Sequence, residues 1–435
     1  MAFLPDSQRS WLKRIETAKL QTTKTIHSFE SAASGSKITL QQFLLLRVLW
    51  VKNEANELSD LSKLSKWNIP QQNIEAARKH LKALPNWVQY ISTISKNLSW
   101  HQEKGFSSLG TFSLVRLYQL NSKSLDISQR LFIPKLEFSP MRTRSHGLAG
   151  SAQARDGNPV TPTRSKKKAT ASDYSSLVDE ATADFEGIHI DDDESPESLL
   201  HISPFSPPTG DLGPAFKSIS DEQIVNTALL LYLQALLINI CEIGADWTPE
   251  RRALVVKKKD GQKVYEARVD GFLRYQHDEN SPIMAIVEVK PSIREQTLET
   301  DAIRMQEGAQ MAAWISQHPP TPSELTPGGI FSRLLVSQDR HQIYLTFAEF
   351  DTDYVHYICD TTSSPKLSTP LGKKPSTPPS QIPPPKLSFL KMNEYGPFDI
   401  GIESHMSSLG QIVLAFSCRA CEIRKKALSK AQRQK

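Results

Sequence analysis

The chain has 435 residues, 39% of them hydrophobic, with four cysteines, a formal net charge of +5 and a pI near 8.8. That length leaves room for more than one domain, the modest apolar content points to segments that bury little, and four cysteines in so long a chain exclude a disulfide-stapled secreted scaffold. The N-terminus lacks the apolar stretch of a signal peptide and the longest greasy run, Leu229 to Ile240, is too short to span a bilayer, so a soluble intracellular protein with no membrane partner is expected.

Residues 1–138 read as a mostly helical region. Trp11 and Ile15 start an amphipathic stretch, and QQFLLLRVLWV from Gln41 is apolar enough for a helix buried among others. Pro70 suits a first helical position, and Ile74, Ala77, Leu81 and Leu84 follow it at helical spacing. Trp87, Tyr90 and Ile91 join that packing, while Phe112 to Leu120 fits helix or strand equally well. Such a region suggests a structural role or a surface that recruits a protein partner.

The composition changes in residues 139–214, first small, polar and basic, then acidic through Asp191, Asp192, Asp193 and Glu194. Neither block carries enough apolar surface to offset the entropy of ordering, so a disordered linker is expected. Arg164 with Lys166, Lys167 and Lys168 reads as a nuclear localisation signal or a phosphate-contacting patch, with a plain solvated linker as the bland alternative. Nucleus is favoured over cytoplasm on this basis.

Order is expected to return in residues 215–362 and 387–425. Ser220 and Gln223 form a capping-box pattern, and Ile224 to Ile240 is apolar nearly all round, which implies burial on most faces. Arg252 to Lys257 reads as a strand, and Asp260-Gly261 as a hairpin turn. From Tyr265 to Pro291 the sequence YEARVDGFLRYQHDENSPIMAIVEVKP reads as two strands about a polar turn centred on Glu279. Because side chains alternate along a strand, Glu288 and Lys290 share one face, and Ile283, Ala285, Val287 and Val289 the other. Tyr275 opposite Ile283 sets Asp270 opposite Glu288.

A helix from about Leu298 to Gln317 follows, with Gln306, Gln310 and Trp314 on one face. Leu334 to Ser337 and Ile343 to Phe350 form a second hairpin, with Tyr354 to Ile358 as an edge strand. Residues 363–386 are a Pro/Ser/Lys-rich flexible insert. A closing helix from Ser404 carries Met406, Leu409, Val413 and Phe416 as an apolar stripe and leads into a basic tail, 426–435. Its Cys418 and Cys421 have no second ligand pair, so their spacing reads as a helix face rather than a zinc or redox motif. The expected fold class is α/β, a mixed sheet flanked by helices.

Two acids facing each other across adjacent strands repel unless a cation lies between them, and a divalent metal removes the conflict. An Asp, then Glu-x-Lys at the end of an apolar strand, resembles the PD-(D/E)XK nuclease superfamily; the wider segment resembles a nuclease-like domain of fungal proteins. The proline of the superfamily name is missing, with Val269 before Asp270. The resemblance implies a restriction-endonuclease-like core, a Mg2+ (or Mn2+) ion held by Asp270 and Glu288, and a catalytic Lys290 that activates water or stabilises the transition state in phosphodiester cleavage. An oxygen-loving metal that keeps its waters needs no more than two carboxylates and the substrate phosphate, and a fixed ammonium adds charge stabilisation. Superfamily members often place a further acid on the first core helix, which marks Glu222, with Glu242 behind it. Gln310 to Trp314 resembles the Q-x-x-x-Y helix of RecB-like members, which gives Gln310 a role in orienting the site and makes Gln306 and Arg304 candidate substrate contacts. An active hydrolase on DNA or RNA and an inactive nuclease-fold module that binds nucleic acid or protein both accommodate these residues.

Overall fold

A computed structural model describes residues 4–29, 32–58, 60–96, 106–125, 213–240, 244–276, 281–296, 300–326, 328–361 and 387–433. Residues 139–212 of the expected linker, with Arg164 and Lys166 to Lys168, lie outside the described residues, as do Glu242, the turn at Glu279 and the insert 363–386; the last two linker positions, 213 and 214, are helical rather than disordered. Among those described, no helix is long and apolar enough to cross a membrane.

Within the unit that holds the described residues of 4–125 and 217–433, the architecture is a mixed α/β sheet with helices on both faces. The N-terminal helices are α1 Gln8–Thr17, α2 Leu40–Leu45, α3 Gln71–Ala83, α4 Pro85–Ser95 and α5 Phe112–Ser124. Phe112 to Leu120 is thus helical, and Pro70 is the N-cap of α3 rather than its first residue. The buried helix expected from Gln41 to Val51 is not what forms. The chain leaves α2, passes Arg47 at φ 53° and enters strand β1 Val48–Asn53. A left-handed residue stops the helix, and Val48 to Asn53 then pairs in parallel with residues 390 to 395, a partner hundreds of residues away that local periodicity does not reveal.

Helix α6 Gly213–Ile238 is followed by β2 Ala245–Thr248, β3 Arg252–Lys257, β4 Lys263–Val269, β5 Gly271–Tyr275 and β6 Ala285–Lys290. Because α6 is already helical from Gly213, Ser220 lies inside it and does not cap it. Then come α7 Thr300–Gln317, β7 Phe331–Asp339, β8 Gln342–Phe350, α8 Thr352–Ile358, β9 Leu390–Asp399 and α9 Glu403–Arg433. The edge strand expected at Tyr354 to Ile358 is a helix instead, because the Asp351 side chain accepts from the Tyr354 N–H and caps it.

The sheet has seven strands in the order β1-β9-β8-β7-β6-β5-β2, with β3 and β4 paired apart from it. Strand β6 runs antiparallel to β5 and parallel to β7. Strict alternation along β6 divides the core. Val287 and Val289 pack with α6, α9 and the helices α3 to α5 through Leu233, Leu409, Val413 and Tyr90. Ile286 packs on the other side with Ala309, Ala312 and Ala313 of α7, together with Trp50 of β1 and Val269 of β4. Ile283 joins that second side because it precedes the strand. The N-terminal residues therefore share both cores with the C-terminal half. Cys418 and Cys421 are free thiols on α9, pushed up to about 11 and about 12 chiefly by burial.

Candidate active site

Glu288 and Lys290 occupy the β6 face that lies under α7. Opposite them the β5 strand opens at Gly271, which pairs with Val287; one step further along that register comes Asp270. The chain changes sheets at this residue, β4 ending at Val269 and β5 beginning at Gly271. Gly271 is required here, since a Cβ would lie 2.7 Å from the Thr248 carbonyl oxygen of β2. Asp270 donates its N–H to the Val287 carbonyl at 2.9 Å and its Oδ2 accepts from the Val289 N–H at 3.2 Å. The side chain thus prolongs the ladder where backbone pairing ends, and this holds the carboxylate still.

Glu288 is almost wholly buried, with 3% of its side chain exposed. Its Oε1 accepts from Lys290 Nζ at 2.5 Å and from Gln306 Nε2 at 2.6 Å, and its Oε2 from Gln310 Nε2 at 2.6 Å. Gln310 also donates to the Arg268 carbonyl at 2.7 Å, tying β4 to β6, while its own Oε1 is buried without a hydrogen-bond partner. Both glutamines therefore face the site rather than solvent. Burial pushes the Glu288 carboxyl above its ordinary range; Lys290 pulls against this and Asp270 adds to it. With N–H donors on both oxygens, it is the shared acceptor of the cluster. For Lys290 burial works against the ammonium, but Glu288, Asp270 and Glu222 outweigh it and raise its pKa, so the charge is retained at neutral pH.

Glu222 on α6 reaches the mouth of this cluster. Its carboxyl is raised by burial, lowered by Lys290 and raised again by Asp270. An arginine that no spacing pattern singled out completes the arrangement: Arg251 Nη2 lies 3.1 Å from Asp270 Oδ1 and 3.3 Å from Glu222 Oε1. Exposure rises outward, from 11% for the Asp270 side chain through 20% for Lys290 and 31% for Glu222 to 52% for Arg251.

Arg304, the other candidate substrate contact, is placed elsewhere. It is buried, with its Nη2 2.9 Å from Glu394 and 2.5 Å from Glu295. It belongs to a second charged cluster under the same helix, unforeseen from sequence. There Arg294, with no exposed side-chain surface, pairs with Asp339 at 2.6 Å, Glu394 at 2.7 Å and Glu307 at 2.8 Å, donates to Ser337 Oγ at 2.9 Å, and lies 4.0 Å from the Tyr344 ring centroid. Trp50 of β1 donates to Glu394 at 3.2 Å. Ser337 and Asp339 are the β7 register partners of Glu288 and Lys290, so the two clusters are neighbours on one face. Glu307 sits on α7 next to Gln306, and nothing in the helical spacing marks it as the partner of Arg294.

The carboxylates of Asp270 and Glu222 at the open rim, with the buried Gln310 Oε1 lacking a donor, offer the oxygen ligands that a hard divalent cation takes, provided Arg251 gives way. Among the described residues, no group of three or more His, Cys, Asp or Glu side chains is arranged to hold a metal ion, so any such ion rests on fewer protein carboxylates plus water and substrate. Searches against models of protein families, curated proteins and solved structures return no match.

Proposed function

We propose that the protein is a PD-(D/E)XK nuclease-like enzyme with a restriction-endonuclease-like core that hydrolyses phosphodiester bonds in DNA or RNA with Mg2+ or Mn2+. The observation that carries this is the convergence of Asp270, Glu288 and Lys290 at a partly open rim, with Gln310 and Gln306 fixing Glu288 from α7. The chain order also supports it: a helix, strands β2, β5 and β6 laid antiparallel in turn, a helix, and a strand parallel to β6. Asp270 and Glu288 would hold the metal, with Glu222 beside them. The metal when bound lowers the pKa of a water and neutralises charge on the phosphate. Lys290, kept protonated by the surrounding carboxylates, orients Glu288 and presents positive charge to the developing phosphorane oxygens. The basic tail, Arg164 and Lys166 to Lys168 support a nucleic-acid partner and a nuclear location.

Assays with Mg2+ or Mn2+ on single-stranded DNA, duplex DNA and RNA test this. Wild type is expected to cleave at least one of them, and Lys290→Ala to lose roughly 10²- to 10³-fold while still unfolding in one cooperative transition. Equal inertness of the two proteins on every substrate sinks the enzyme. A second reading, a nuclease-fold binding module, is favoured by the N–H and cationic caps on the carboxylate oxygens. It predicts metal-independent nucleic-acid affinity that falls steeply with salt.

A further inference from the structure

Where β6 and β7 begin, the C-terminal end of α7 and the middle of α9 enclose a cavity of about 520 Å³, a size that takes a small molecule. Its walls include Met284, Trp314, Phe416 and Ile423, and it is also lined by Arg333, Arg419 and Arg424, with Glu324 as the carboxylate set against them. It is apart from Glu288 and Lys290, which lie at the other end of β6.

Arg333 is the informative residue. It is 6% exposed, its guanidinium lies 4.3 Å from the Trp314 ring centroid, and its Nη2 donates to the His318 carbonyl. Its Nη1 is buried with no hydrogen-bond partner, and among the described residues no carboxylate is paired with it. Burial pulls its pKa down to about 10, with Glu324 and Cys359 pulling the other way. A guanidinium removed from water without a counter-ion is costly. The same fold handles Arg294 by surrounding it with Asp339, Glu307 and Glu394. Neighbouring donors repeat the pattern, since Trp314 Nε1 and Arg419 Nε are also buried and unpartnered. A buried cation under the floor of a low-dielectric cavity sets a positive potential inside it.

We infer that this cavity binds a small amphipathic anion, its carboxylate, phosphate or sulfonate head drawn toward Arg333 and its apolar body lying against Trp314, Phe416 and Ile423. Hydrocarbon and aromatic bodies share this chemistry, so the test uses one of each. The full chain is titrated by calorimetry with sodium decanoate, with adenosine 5′-monophosphate, and with decyltrimethylammonium as the same tail bearing the opposite charge. Saturable one-site binding of either anion is expected, with at least tenfold weaker binding of decyltrimethylammonium. Binding of decanoate alone assigns a hydrocarbon body, and of the nucleotide alone an aromatic one. Arg333→Met should weaken the anion at least tenfold, and Ala420→Trp, which fills the cavity from α9, should abolish binding. Should Arg333→Met fail to fold, Ala420→Trp decides. Equal affinity for the cationic amphiphile, no saturable anion binding, or anion binding indifferent to Ala420→Trp overturns the proposal.

Discussion

Two clusters of buried charge lie side by side under α7, and they differ in how the charge is finished. Around Arg294 itself every partner carboxylate lies inside the protein, and Arg294, Glu307 and Asp339 have essentially no exposure; only at the edge does a half-exposed acid, Glu295, meet Arg304. Around Glu288 the inner half is equally dry, but the outer half is closed by Arg251, half of whose side chain is in solvent. A closed set of pairs has nothing to exchange with a ligand. A set capped by one half-exposed arginine does, because exchanging that cap for another cation costs little desolvation. Buried charge alone therefore does not identify a site; an exposed, replaceable member does.

The largest effect expected from this contrast is on stability. Arg294→Met strands Asp339, Glu307 and Glu394 without their shared cation and should cost about 3–5 kcal/mol, measured by urea unfolding. Lys290→Ala, by the same measurement, should cost much less while removing cleavage. If the two variants destabilise equally, the division into a structural and an exchangeable cluster is wrong.

A smaller effect concerns metal affinity. Arg251→Met frees Asp270 and Glu222, and calorimetric Mn2+ affinity should tighten about tenfold, roughly 1.4 kcal/mol. Unchanged or weaker affinity would mean that Arg251 is a fixed part of the scaffold. Glu394→Met, which opens the neighbouring cluster, should leave Mn2+ affinity alone.

The smallest effect is one of sign. Burial opposes ionisation of Glu394, but Arg294 and Arg304 outweigh it and its pKa is lowered; that stability is present above the unfolded value and is lost as pH falls through the folded one. Burial raises Glu222, so its contribution is present below the unfolded value and is lost as pH rises through the folded one. Glu394→Gln should thus destabilise at pH 7.5, with the deficit fading on acidification. Glu222→Gln should be slightly stabilising at pH 7.5, and that gain should fade toward acid. Unfolding curves of both variants between pH 7.5 and 4 check this, and matching signs would erase the distinction.

Local pattern was enough to place much of this. The alternation in AIVEVK put Glu288 and Lys290 on one face, the register from Tyr275 and Ile283 put Asp270 beside Glu288, and the four-residue spacing of Gln306 and Gln310 put both amides on the face that meets Glu288. Each inference spans a single strand pair or a few helical turns, where backbone geometry ties sequence spacing to direction. The same logic failed for Val48 to Asn53, a strand because of a partner at Leu390, and for Tyr354 to Ile358, where one aspartate cap outweighed a β-like composition.

What the sequence determined by itself is therefore the face each charged residue takes on its own element, because side-chain direction follows from the repeat of a strand or helix. Only the tertiary structure decided which charges are neutralised. Arg251 against Asp270 and Arg294 against three acids are pairings between different elements, and among the described residues no carboxylate forms an ion pair with Arg333; all three follow from how the sheet, α6, α7 and α9 pack, not from any local repeat.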